Sequence, residues 1–231
     1  MMAEGMLEHY AQSWIYVILF SIFFIVCIRV RGNFKFIGAF FRDLAVVRER
    51  ENLFDATMRE TSLIFLLLLL SGCSIGVLLY YAVPLFGSAV KAGMPQLGFH
   101  VSGQLLSTLA CMLIACGYIG MMWVCYTVVG RVFSDTLHTW LWVRGFTAGT
   151  GLGAAVFLPL ALLALTYPSH AAQIVAAAFG MLILVKFLFI VKGFRIFFTE
   201  SSLWVVFLYY LCSLEIVPLV ITFGLACALL G

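Results

Sequence analysis

The sequence predicts an all-α, polytopic membrane helix bundle with six transmembrane helices and a cytoplasmic amphipathic interfacial helix between the first two. Three observations carry that expectation. Of 231 residues, 65% are hydrophobic and only 10% are charged, against roughly 25% charged in soluble globular domains. The apolar residues gather into six runs, each near the ~20 residues that a helix needs to cross a hydrocarbon core of about 30 Å. Lys and Arg collect in alternate connections between those runs, the asymmetry by which membrane proteins set their orientation. A soluble enzyme, a disordered scaffold and a nucleic-acid reader are excluded, because 13 basic and 10 acidic side chains cannot build a water-facing surface on a chain this long.

The runs are read as spans over 14–30, 61–83, 104–129, 146–167, 172–193 and 203–230, within one integral membrane domain covering 1–231. The first is short, and Trp14 and Tyr16 at its outer end suit the headgroup layer. No Lys or Arg precedes Arg29, while Glu4 and Glu8 do, so the first run is expected to be a retained anchor and not a cleaved signal peptide. The connector 33–58 follows. In it Phe34, Ile37, Phe40, Phe41, Leu44 and Val47 recur at helical spacing, as in a helix lying in the interface plane. The stripe stops at Val47, and Arg48, Arg50, Glu51 and Asn52 form a mixed-charge cytoplasmic patch. That patch reads first as a snorkelling connector and second as a docking point for a cytoplasmic partner.

After the third span, Ser134 is placed to cap a short elbow helix. Leu137, Trp140 and Leu141 would share one of its faces, with Trp140 and Trp142 in the headgroup layer. Gly149, Gly151 and Gly153 then open the fourth span. They read as a surface for close helix approach, since neither a preceding strand nor a following Lys-Ser or Lys-Thr supports a phosphate loop. The last run is long, and Pro218 gives it a reason to bend by removing a backbone donor and crowding the carbonyl of Leu214.

Counting basic residues sets the orientation. Seven lie from Arg29 to Arg59, followed on the same side by Arg131, Arg144, Lys192 and Arg195; the opposite side has Lys91 alone. Both termini are therefore expected outside the cytoplasm.

Chemistry-bearing residues are few. All seven cysteines lie in apolar runs without a C-x-x-C pair and read as small hydrophobes. His9, His100, His138 and His170 are scattered, so no metal site, cofactor or catalytic residue is assigned. Two ionisable side chains lie well inside apolar runs, Lys186 and Glu215. Each costs on the order of 2.5–3.5 kcal/mol at the bilayer centre, so each should face the bundle interior and find a partner. Together with Pro218 they form the candidate intramembrane polar site. Glu215 could be a member of an interhelical hydrogen-bond network, a proton or cation site, or a catalytic acid. Lys186 and Glu215 differ in depth along their helices, but their long side chains make a pair feasible. At the cytoplasmic interface, Arg195 and Glu200 join Arg48, Arg50, Glu51 and Asn52 as candidates, although Glu200 also suits the N-terminus of the last helix.

Two stretches carry a resemblance, "RERENLFDATMRETSLIFLLLLL" from Arg48 to Leu70 and "RIFFTESSLWVVFLYYLCSLEIVPLV" from Arg195 to Val220. The second contains Tyr210, Leu211, Cys212, Leu214, Glu215, Ile216 and Pro218, with Ser213 and Val217 at open positions. Together they resemble a family of six-helix membrane proteins of Gram-negative bacteria catalogued as a domain of unknown function. The resemblance implies an inner-membrane protein without an established reaction, substrate or cofactor, and carries over no catalytic residue. The resulting expectation is a non-enzymatic subunit or accessory of a cell-envelope membrane complex, in contact with membrane lipid and a possible protein partner, and not with nucleic acid. The alternative is a small transporter or proton-coupled channel component using Glu215 and Lys186. A third is a lipid-pathway enzyme with a headgroup pocket near Arg131, Arg144, Lys192 or Arg195 and the acid Glu200.

Overall fold

The computed structural model describes residues 2–31, 58–91, 103–133, 136–197 and 204–230. Among these the chain is helical almost throughout and forms no strand. The helices are α1 (Met2–Arg31), α2 (Met58–Lys91), α3 (Gln104–Phe133), α4 (Thr136–Thr166), α5 (Ala171–Phe197) and α6 (Trp204–Leu230), with a 3-10 turn at Pro168–His170 joining α4 to α5. All six contain a stretch long and apolar enough to cross a membrane. The interfacial connector expected over 33–58, including Arg48, Arg50, Glu51 and Asn52, lies outside the described residues apart from Met58, the first residue of α2.

Lipid-facing and core-facing surfaces are both apolar, because hydrocarbon replaces water as the solvent. In α1, Ile15, Leu19 and Val26 are buried, while Val17, Phe20, Phe24 and Ile28 on the other side are exposed. The buried positions recur at the spacing of one helix face.

α2 is the axis of the bundle and packs on each of the other five helices. Its middle turn explains why. Ser71, Gly72, Cys73, Ser74 and Gly76 are all buried, and small residues let helix backbones approach closely. A Cβ added to Gly76 would run into the backbone of Met112 in α3 and lie 2.9 Å from the Cys111 carbonyl oxygen; one added to Gly72 would lie 2.6 Å from Cys116 Sγ. Against another face of α2, Gly153 of α4 would place a Cβ 3.7 Å from Ser71 Oγ. Of the glycines at the start of the fourth span, Gly153 thus meets α2. The tighter crossing, at Gly72 and Gly76, was not singled out in the sequence.

The helices alternate in direction. At one end Gln12 Nε2 donates to the Leu165 carbonyl, and the Tyr16 hydroxyl pairs with Thr166 Oγ1 at 2.8 Å, tying the start of α1 to the end of α4. At the other end lie the last turn of α1 with Arg29 and Arg31, the last turn of α3 with Arg131, and the first turns of α4 with Arg144. These arginines thus share one end of the bundle, hereafter the arginine end.

Two expectations for this end are corrected. There is no separate elbow helix after the third span, because α4 runs unbroken from Thr136 to Thr166. Trp142 does not face outward as an interfacial anchor would. It is 1% exposed, because the continuous helix turns it inward against Tyr126 and Phe189. Pro218 lies within an unbroken α6, and α2 and α4 likewise carry interior prolines, Pro84 and Pro159.

Gly76→Ala should lower stability by about 1–3 kcal/mol, because the added methyl meets backbone that cannot swing aside. Gly117→Ala, where an added Cβ meets nothing within 4 Å, should stay within about 0.5 kcal/mol of wild type. Thermal unfolding of the two variants in the same detergent makes the comparison.

Candidate functional site

Polar side chains inside hydrocarbon must find partners within the protein, since no water competes for them. Most hydroxyls do so within their own helix. Ser74 donates to the Leu70 carbonyl at 2.8 Å, Thr127 to that of Trp123 at 2.8 Å and Thr222 to that of Pro218 at 2.6 Å. Such bonds to the carbonyl one turn back consume no neighbouring helix.

Glu215, deep in the bundle, is engaged by other helices on both sides. It faces inward from α6 and is 7% exposed, and both carboxylate oxygens are engaged by other helices. The Tyr126 hydroxyl of α3 donates to Oε1, and Lys186 Nζ of α5 donates to Oε2. The pairing of Lys186 with Glu215 left open by the sequence is therefore made in the structure. It bridges α5 and α6, which have no extensive backbone approach of their own among the described residues. The reach of the lysine stem makes that connection possible.

Tyr126 is held by rings on three sides. Its centroid lies 4.9 Å from those of Trp142 and Phe146, both of α4, and 5.0 Å from that of Phe189 in α5. Trp142 and Phe189 stack with ring planes 4° apart. Ile119 and Met122 complete the buried group, with Leu68 of α2 and Leu214 of α6 packed against it. The phenol is thereby fixed in orientation and its hydroxyl is aimed at the carboxylate. Lys186 Nζ also sits over the Tyr118 ring, 5.4 Å from its centroid. A buried ammonium gains from the negative face of an aromatic ring as well as from a carboxylate.

Pro218, one turn beyond Glu215, is buried and takes no direct part in the polar contacts beyond accepting from Thr222. Arg195 lies in α5, but its side chain is outside the described set, as is Glu200. Arg131 is exposed and Arg144 half-buried at the arginine end, in the region where a headgroup pocket was considered. No group of three or more His, Cys, Asp or Glu with metal-binding geometry occurs among the described residues.

Tyr118 and Tyr126 were not chosen from the sequence. A signal was present in that both lie inside an apolar run, where a phenol hydroxyl needs a partner. Nothing in the linear order pointed to Lys186 and Glu215 as that neighbourhood.

Fold and site together define a multi-pass, all-helical membrane protein with a charged pair buried between its helices. The chain belongs to the family described as Domain of unknown function (DUF4271), whose family model matches residues 15–226. Comparison with curated proteins and with solved structures finds no match.

Replacing either member of the charged pair alone, by Lys186→Met or Glu215→Leu, strands the other charge and should cost up to about 3–5 kcal/mol. The combined variant should be more stable than either single one. A double-mutant cycle read by unfolding in a denaturing-detergent titration measures this coupling.

Proposed function

We propose that this protein is a non-enzymatic subunit or accessory of a larger membrane assembly of the bacterial cell envelope, resident in the inner membrane with both termini in the periplasm. The observation that carries the reading is the outward face of α3. Leu113, Gly117, Gly120, Val124 and Val128 follow one another at helical spacing and are all exposed, and a Cβ on either glycine would meet nothing. Glycine facing lipid forgoes contact with the acyl chains. Facing a partner helix, it lets two backbones approach closely.

Other features agree. Glu215 ties α6 to α3 and α5, since both of its oxygens are engaged by side chains of the same chain. The connections from α3 to α5 are too short to form an extramembrane domain, with two residues between α3 and α4 and a 3-10 turn between α4 and α5. The basic residues gathered at one end of the bundle favour placing that end in the cytoplasm.

Two measurements test the proposal. After purification from native membranes in mild detergent, the protein should retain a stoichiometric partner through size exclusion. Gly117→Leu with Gly120→Leu should strip that partner while leaving the unfolding temperature unchanged, and a solitary wild-type monomer would overturn the proposal. Separately, a reporter fused after Gly231 should be active only in the periplasm; activity in the cytosol reverses the assigned orientation.

A further inference from the structure

We infer that Glu215, Lys186, Tyr118 and Tyr126 form a proton-binding site within the membrane, with Glu215 as the group that takes up and releases the proton. The inference rests on the geometry of this cluster and stands whether or not the assembly reading holds.

A charged pair that served only to join α5 and α6 would need its two members and nothing more. Here each member has a second stabiliser that is indifferent to the charge of the other. The Tyr126 hydroxyl binds Glu215 on the oxygen that Lys186 does not use. A phenol can donate to a carboxylate or to the carbonyl oxygen of a neutral acid, so this bond survives protonation. On the lysine side, Nζ lies over the face of Tyr118, an attraction that persists when the carboxylate loses its charge.

The Tyr118 hydroxyl supplies a third element. Its oxygen is buried and has no hydrogen-bond partner among the described residues, a costly arrangement in an apolar region. An ammonium carries three donors. When Glu215 is neutral, the N–H that it no longer holds strongly can turn to this oxygen, on the ring that Nζ already overlies.

Uptake then balances simply. A hydronium ion gives its proton to the Glu215 carboxylate, leaving a carboxylic acid and water; Lys186 remains an ammonium, and the cluster passes from net zero to one positive charge. Release is the reverse. Lys186, with 20% of its side chain exposed against 7% for Glu215, marks the more open side of the cluster. The titratable groups facing Glu215 among the described residues are Lys186 from α5 and Tyr118 and Tyr126 from α3. Among the described residues, Leu68 of α2 and Trp142, Val143 and Phe146 of α4 pack in the apolar group beside this cluster.

The full-length protein in lipid vesicles, followed by infrared difference spectroscopy over the pH range in which it stays folded, tests the inference. A carboxylic-acid C=O band should grow on acidification and be lost in Glu215→Gln. Glu215→Asp should keep the titration at a shifted band frequency, which covers the case in which the Gln variant does not fold. Tyr118→Phe keeps the ring face but loses the hydroxyl that accepts from the ammonium when the acid is neutral, so the titration should persist with its midpoint moved toward acid. Tyr118→Leu removes that acceptor together with the ring face, and should move the midpoint about one pH unit toward acid. A band at this site that is constant with pH, a titration that persists unchanged in a folded Glu215→Gln, or a Tyr118→Leu profile identical to wild type would overturn it.

Discussion

Helices already dissolved in hydrocarbon gain nothing from hiding apolar surface from one another, so a bundle in lipid must be held by close packing and by polar contacts. In this protein the packing is concentrated where α3 crosses α2. Gly76 meets the backbone of Met112, and Gly72 makes room for the Cys116 thiol. With α3 drawn against α2, the opposite faces of α2 remain free to receive α4 at Gly153 and α6 at Val83, where Ala226 and Cys227 pack. A larger residue at the crossing would displace α3, and with it both tyrosines that define the polar site.

The treatment of polar groups follows from the same solvent. Ser74, Thr127 and Thr222 turn their hydroxyls back to their own helix and so leave the packing of neighbours unaffected. Glu215 and Lys186 cannot do this, because no backbone carbonyl neutralises a charge. They are brought together instead between α5 and α6, where side chains make the contact. The aromatic group around Tyr126 gives that place a fixed geometry. Four rings from three helices exclude water and orient a single hydroxyl, so the strength of the polar contacts rests on apolar packing a few ångströms away.

How much could be read in advance varies with the kind of feature. Helix limits were close to the observed ones for the third and last spans, since a hydrophobic run ends where charge or turn residues begin. The burial of Lys186 and Glu215 was also foreseeable, because an isolated charge in an apolar run has nowhere else to go. The elbow after Phe133 was not. Its polar and aromatic residues resembled an interfacial segment, whereas α4 continues through them and rotates Trp142 into the core. The crossing at Gly72 and Gly76 was equally invisible, because glycine spacing recurs in several spans and the linear order does not say which glycines face a neighbour. Gly117 and Gly120 face outward.

From its sequence alone this protein is a six-helix membrane chain with its basic residues gathered at one end and two ionisable groups committed to the interior. Those properties depend on hydrophobicity and charge summed along a run, and such sums need no knowledge of neighbours. Which residue answers Glu215 could be decided only by the assembled bundle. Lys186 is 29 positions away and Tyr126 is 89, and their meeting depends on the rotation and depth of three separate helices. Those are set by the fit of small residues at α2 and by rings that fill the space beside it, a property of all the contacts together.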